Sequence, residues 1–506
     1  MINKPIIAVC ALTLIFNVQA ERKVVDKQAF LEYEQVIKAN LKNREVGSLN
    51  QGEGSVLEQA INQFKEGKLQ FKVTQNTLDQ LPQALTDDDF NLHPADKVAL
   101  GRLLFFDKIL SGNRNDSCAT CHHPFAWSGD GLSLPIGEGG DGVGVTRTTG
   151  YQEDGVHERV PRNAPQIFNL GAKSFDVMFH DGRVREDASQ ASGFFTPAGS
   201  DFPMGLDNAL AAQAMFPVTS AAEMAGQEGE NSVADATAVG NLAGAGGVWD
   251  QLATRIQDIE EYVVMFKNVY EDVDSASDIT MVHIANAMGA FEGDIWRADN
   301  SAFDKFLRGE ETAMSPNQIA GMNLFYGDAG CADCHNGPFL TSNEFKSIGM
   351  PQIGPGKGDN LPGFRDGLDD FGRERVTGDT NDRYKFRVPS LRNALLTGPW
   401  GHAGAYNDLR SVIKHHLNPS HALANYDQNQ VLLPYRRDLS AVDFAVMNDD
   451  FSRNALLSNL DIGNVNLSEE QIDRLIDFMD AVTDRSSIDL RTDVPAKVPS
   501  GLPVFD

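Results

Sequence analysis

The sequence predicts a mostly α-helical protein with two domains, and three observations predict it. Apolar residues recur at three- and four-residue spacing in several segments, as on one face of a helix. Alternating strand patterns are sparse. A five-residue motif, C-x-x-C-H, occurs twice, at 118–122 and at 331–335, far enough apart to serve two domains. The 506 residues are ample for real cores. Hydrophobic residues make up 41% and charged residues 23% of the chain, which excludes a largely disordered or fibrous protein. Forty-three Lys and Arg stand against 71 Asp and Glu, a net charge of −28. That balance argues against a nucleic-acid partner held by phosphate neutralisation. Five cysteines are too few for a disulfide scaffold in a chain this long.

Residues 1–20 read as a signal peptide, with Lys4 at the positive start and an apolar run at 6–16 broken only by Thr13. Val18-Gln19-Ala20 resembles the cleavage site. The run is too short to span a bilayer comfortably, which leaves a membrane anchor as the weaker alternative. Cleavage after about Ala20 sends the mature chain to the periplasm. It removes Lys4, no acid and Cys10, taking the charge from −28 to −29.

Residues 21–90 form an N-terminal helical extension. Phe30, Tyr33, Ile37 and Leu41 share one helical face there, Gly-rich polar sequence follows at 47–54, and a second helix is expected near 55–66. The first domain covers 91–300. It holds a Gly- and acid-rich loop at 128–155, an inserted stretch at 187–209 and an Ala/Gly-rich loop at 225–247. Leu252, Ile256, Ile259, Val263, Phe266 and Tyr270 then mark one amphipathic helix. The second domain covers 301–484, with a Gly/Asp-rich loop at 351–383. Its last helix opens on Ser468 and Gln471 in capping-box spacing and buries Ile472, Leu475, Ile476, Met479 and Val482. The tail, 485–506, carries Pro495, Pro499 and Pro503 and is expected to be extended.

The two motifs carry the chemistry. Cys118, Cys121 and His122 form the first, and Cys331, Cys334 and His335 the second. C-x-x-C-H is the attachment signal for c-type haem: two thiols add to the haem vinyl groups, and the adjacent imidazole is held to ligate iron. Together the motifs use every cysteine of the mature chain. A four-cysteine zinc site and two disulfides are competing readings that leave both histidines unexplained, and a thioredoxin-like redox pair would need a βαβ pattern that surrounds neither motif.

Several stretches around the motifs carry a resemblance. The segment 100–107, with Leu110-Ser111, leads into the first motif. Then come Arg162-Asn163-Ala164-Pro165 with Asn169, and Phe179-His180-Asp181-Gly182-Arg183. Gln213, Pro217 and Glu223-Met224 follow. The second half has 327–331, the run 386–393, and Thr397, Pro399 and His402. In order and spacing, over roughly 90–484, the sequence resembles the bacterial di-haem cytochrome c peroxidases and their MauG-type relatives. The resemblance implies two cytochrome-c-like domains, each with one covalently bound haem c. The N-terminal haem would be the peroxide site and the C-terminal haem the electron relay. It makes His122 the proximal ligand, Glu223 the distal acid–base group and Gln213 a distal amide. It also implies one calcium ion between the domains, held by the Asn163 side chain and the carbonyls of Thr397 and Pro399.

Three departures from the family pattern stand out. Glu138 falls where many relatives carry a removable distal histidine, so the first haem is expected to be open; His157 lies beyond a Gly-rich insertion and is the residue that could swing in. His416 falls where relatives place methionine or tyrosine, with His415 as the fallback, so His335 and His416 would make a bis-histidine haem of lowered potential. His180 replaces a bridging tryptophan, so electron transfer either tunnels without an aromatic relay or is helped by Trp127, Trp296 or Trp400. His402 is expected to have a structural or pocket-lining role. The first expected function is a periplasmic peroxidase, reducing hydrogen peroxide with electrons from a small, basic cytochrome c or cupredoxin. The alternatives are a MauG-like oxidase that modifies a partner protein through high-valent haem, and a non-catalytic di-haem electron carrier. The peroxidases it resembles are commonly dimers, so the resemblance allows a homodimer, while the sequence itself does not give the oligomeric state.

Overall fold

Helical periodicity translates into a helix-rich fold with little sheet in the computed structural model, which describes residues 73–151, 155–361 and 367–505. The expected signal peptide, Cys10 and the helical faces at 30–41 and 55–66 lie outside the described residues. Among the described residues, sheet is confined to five strands of two or three residues. β1 (Val177–Met178), β2 (Val184–Glu186) and β3 (Phe194–Phe195) pair antiparallel in sequence order, with Val177 opposite Arg185 and Arg185 opposite Phe195. β4 (Phe345–Lys346) pairs antiparallel with β5 (Phe386–Arg387). The Arg387 amide also donates to the His180 carbonyl at 2.7 Å, stitching the end of β5 to the turn after β1.

Five helices organise the molecule. α1 (Ala95–Phe106) begins behind Pro94, and α2 (Met281–Ile295) behind Thr280, whose amide donates to His283 Nδ1 at 3.0 Å. α3 (Pro316–Phe325) starts with Ser315 and Gln318 capping each other and Pro316 in the first turn. α4 (Leu409–Leu417) is capped by Asp408. α5 (Glu469–Ala481) has the reciprocal Ser468–Gln471 box that the spacing predicts.

One packing device occurs twice. A Cβ built on Gly101 of α1 would lie 1.8 Å from the Ala287 carbonyl oxygen and 2.9 Å from Phe291 Cβ, both on α2. A Cβ on Gly321 of α3 would lie 1.8 Å from the Arg474 carbonyl oxygen and 2.9 Å from Phe478 Cβ, both on α5. Only glycine permits either approach. Four residues after each glycine a phenylalanine meets the partner helix: Phe105 and Phe291 stand 5.3 Å apart at 55°, Phe325 and Phe478 5.1 Å apart at 58°. Each crossing lies just ahead of a C-x-x-C-H motif. The apolar interior follows these pairs. One cluster gathers Leu100, Leu104, Phe105, Met288 and Phe291, and another gathers Phe303, Met322, Phe325, Leu475 and Phe478. A further cluster around Met350, Tyr384, Tyr406 and Met447 takes in Leu134 from the first half.

Three local expectations need correction. The face running from Leu252 to Tyr270 belongs to two helices, Val248–Gln257 and Glu260–Val269, separated at Asp258 and Ile259. Both bury their apolar positions on the same core, so periodicity continues across a break it cannot register. The 225–247 stretch contains a helix, Ser232–Ala238, because Asn231 caps it at the amides of Val233 and Ala234 and its alanines favour helix. The tail begins with two 3₁₀ turns, Arg485–Ile488 and Arg491–Asp493, before it extends. It packs rather than projects: Val498 joins the first core and Ser500 Oγ donates to Asp107 Oδ1 at 2.6 Å.

Candidate haem sites

The first motif sits on a single helical turn, Cys118–Cys121, closed by Ser117 and Thr120. His122 ends the turn, and its Nδ1–H donates to the Ser128 carbonyl at 3.0 Å. That bond fixes the tautomer and leaves Nε2 as the basic nitrogen, as a metal-ligating histidine requires. Cys118, Cys121 and His122 line a cavity of about 1100 Å³ of empty space, counting its open mouth. Gln213, from the helix Ala209–Ala214, lines the same cavity. So does Glu223, carried on a π-helical turn, Ala221–Ala225. Irregular turns of this kind recur at functional sites.

The charges around the cavity are unequal in kind. Arg162 is neutralised twice over: Nε and Nη2 grip both oxygens of Asp370 at 2.7 and 2.8 Å, and Nη1 reaches Asp181 at 2.7 Å. Burial alone would raise both carboxyls, but the guanidinium outweighs it, holding Asp181 down at about 2 and Asp370 well below the usual range. Burial raises the Glu223 carboxyl, and the charges of Arg183 and Lys357 together with the Ser220 hydroxyl pull it part of the way back. Glu292, on α2, also lines the cavity, and burial pushes it up to about 8. His180 donates Nε2–H to the Asn163 carbonyl at 3.1 Å, and burial with the Arg162 charge holds it neutral at about 4.

The second motif follows Gly330, whose φ of 66° turns the chain into the 3₁₀ turn Cys331–Asp333. His335 and His416 face each other with ring centroids 6.4 Å apart. Each spends Nδ1–H on a backbone carbonyl, His335 on Leu340 at 3.2 Å and His416 on Val412 at 2.9 Å, so each keeps Nε2 basic. With nitrogen–metal bonds near ~2 Å, this separation has room for one metal ion between the rings. His415 is engaged at both nitrogens: Nδ1 accepts from the Tyr406 hydroxyl at 2.9 Å, and Nε2–H donates to the Ile348 carbonyl at 2.8 Å. Three histidines with locked tautomers, unpaired cysteines beside two of them and a large cavity at the first motif fit two covalently held haems. The zinc reading does not fit: among the described residues, no three His, Cys, Asp or Glu side chains gather as a metal cluster. The disulfide reading fails as well, since all four thiols are unpaired.

Other residues singled out in the sequence lie elsewhere. Glu138 is buried but not part of the cavity wall; its Oε1 accepts from Asn113 at 2.8 Å and Asn115 at 2.7 Å. His157 is half exposed and stands 3.4 Å from Glu230. Asn163 donates its side-chain amide to the Leu132 and Ser133 carbonyls and its backbone N–H to His402, which brings it to the strand of chain leading from Thr397 and Pro399. His402 stacks on Phe386 at 3.7 Å, 11° from parallel. Trp296 is buried in the first core. Glu292 and Lys357 are among the cavity residues that sequence reasoning does not single out. Glu292 had a signal, an acid directly after the apolar run Met288-Gly289-Ala290-Phe291. Lys357 had none, because an aperiodic Gly-rich loop says nothing of where its side chains go.

Residues 95–312 match the family described as di-haem cytochrome c peroxidase. Over 341 residues the chain is 28% identical to the methylamine utilization protein MauG of Methylorubrum extorquens, covering 66% of this chain and 72% of that protein. It is 28% identical over 339 residues to a cytochrome-c peroxidase of Pseudomonas sp. (strain SCT), covering 64% and 72%. It is 30% identical over 335 residues to the cytochrome c peroxidase Ccp of Escherichia coli (strain K12), covering 66% of this chain and 54% of that protein. The segment 95–312 belongs to the di-haem cytochrome c peroxidase and MauG family. Membership implies haem c as its cofactor.

Proposed function

We propose that the protein is a periplasmic di-haem peroxidase that reduces hydrogen peroxide to water in the His122 cavity, with electrons entering through the His335/His416 site. The reading rests on one observation: Glu223 and Gln213 line the same cavity as Cys118, Cys121 and His122. Haem iron, when held there, supplies peroxide binding and electron transfer. His122 Nε2 and the paired Nε2 atoms of His335 and His416 are its protein ligands. Glu223 takes a proton from one peroxide oxygen and returns it to the other, a task suited to a carboxyl raised by burial. Gln213 donates a hydrogen bond to a peroxide oxygen. A calcium ion held by Asn163, Thr397 and Pro399 joins the two cytochrome-c-like halves, 91–300 and 301–484. The donor is a small, basic cytochrome c or cupredoxin.

Steady-state turnover with peroxide and a reduced cytochrome c tests the reading directly. Glu223→Gln should lower turnover by about 10²-fold or more while both haems stay bound. Unchanged turnover would remove Glu223 from the acid–base role. A second reading, a MauG-like oxidase acting on a partner protein, is favoured by Glu138: its carboxylate is tied to Asn113 and Asn115, with no imidazole at that place to close the first site. Absent turnover with cytochrome c, combined with peroxide-dependent oxidation of a partner protein, would select it.

A further inference from the structure

Lys357 enters the first cavity from the second half of the chain. Its backbone is fixed at both ends: the amide donates to the Asp369 carbonyl at 3.0 Å, and its carbonyl accepts from Arg375 Nη1 at 2.8 Å. Among the described residues its ammonium makes no hydrogen bond or ion pair, unlike Arg162, which is fully matched by Asp370 and Asp181. Arg183 also lines the cavity but already shares Asp181, at 3.2 Å, and lies over the Phe179 ring at 3.5 Å. Lys357 is therefore the cavity cation that no carboxylate grips by hydrogen bond; its charge acts without contact on Glu223 and Asp370. A half-buried ammonium favours anions near it, and a proton taken up by Glu223 removes one of the negative charges it faces.

We propose that Lys357 makes this cavity a site for small monoanions, receiving hydroperoxide during turnover. This rests on the reading of the cavity as the peroxide site. The O–H bond of peroxide breaks, its proton goes to the Glu223 carboxylate, and the charge left on oxygen is offset by the Lys357 ammonium. Lys357 acts on the substrate anion, and Gln213 orients it.

Azide, a small monoanion, and imidazole, a neutral ligand, distinguish this from a structural role. Both are titrated by absorbance into the oxidised, haem-loaded protein. Lys357→Gln should weaken azide binding by about tenfold or more and leave imidazole within about twofold. Lys357→Arg should restore azide binding. Equal changes for both ligands, or none for either, would overturn the proposal; the latter is expected if the ammonium instead serves a carboxylate of the haem itself. Failure of wild-type protein to bind azide would overturn it too. Peroxide turnover, measured alongside, separates the two ideas: Lys357-dependent azide binding without turnover would retire the peroxidase reading and leave the anion site standing.

Discussion

At the scale of single residues, what each histidine does with Nδ1 divides the imidazoles into roles. His122, His335 and His416 each give Nδ1–H to a backbone carbonyl and keep Nε2 basic, whereas His415 commits both nitrogens. Spacing in the sequence could not separate His415 from His416, because the partners that decide it, Tyr406 and Ile348, belong to other segments. His416→Ala should turn the second haem high-spin in its absorption spectrum, while His415→Ala should keep it low-spin at reduced stability; the opposite pattern would exchange their roles. Glu292 offers a thermodynamic test. Its carboxyl stands at about 8 against an ordinary 4.5. Below pH 4.5 folded and unfolded chains both carry the proton. As pH rises toward 8 only the unfolded chain releases it, so stability is lost across that window and levels off above it. The unfolding free energy from urea titrations should fall further between pH 5 and pH 8 for wild type than for Glu292→Gln, by the order of a few kcal/mol. Equal pH dependence in the two proteins would count against an uncompensated buried acid.

Among the elements, the repeated helix crossing explains how two haem motifs fall into similar settings from dissimilar sequences. The motif begins 17 residues after Gly101 but 10 after Gly321, so the loops differ while the crossing does not. The C-x-x-C-H pairs, the Ser468–Gln471 cap and the helical faces were legible in sequence because each is a local pattern. The crossing was not, because its second helix lies 186 residues on from Gly101 at Ala287 and 153 on from Gly321 at Arg474. The same reason hid the Arg162–Asp370 pair, whose members are 208 residues apart. Gly101→Ala and Gly321→Ala should each destabilise the protein by about 1–3 kcal/mol or more, since a methyl must push a backbone carbonyl aside. Thermal melts would measure the loss. The two should also differ locally: Gly101→Ala should disturb the His122 haem spectrum first, and Gly321→Ala the His335/His416 spectrum. Wild-type melting temperature in either variant would mean that the helices can separate freely there.

Across the whole molecule, charge is the property that composition reports most directly and geometry refines. The chain carries −28, and every haem held adds propionates of the same sign. Many of its cations are already spent: Arg410 and Lys414 share Glu469, Arg383 grips Glu374, and Arg159 is buried on Asp443. Acids such as Asp450 and Glu470 remain mostly exposed beside their arginine partners. The long-range field is therefore set by uncompensated acid, and it should draw a basic redox partner toward the surface faster than a neutral one. Salt shortens the reach of that field, to about 10 Å at 0.1 M from about 30 Å at 0.01 M. The second-order rate of electron donation from a basic cytochrome c should accordingly fall by about tenfold between those ionic strengths, while donation from an acidic cytochrome should start slower and rise. Stopped-flow oxidation of each donor measures both arms. A rate for the basic donor that does not change with salt would mean that steering plays no part, and that donor choice is decided by short-range contacts at the docking site.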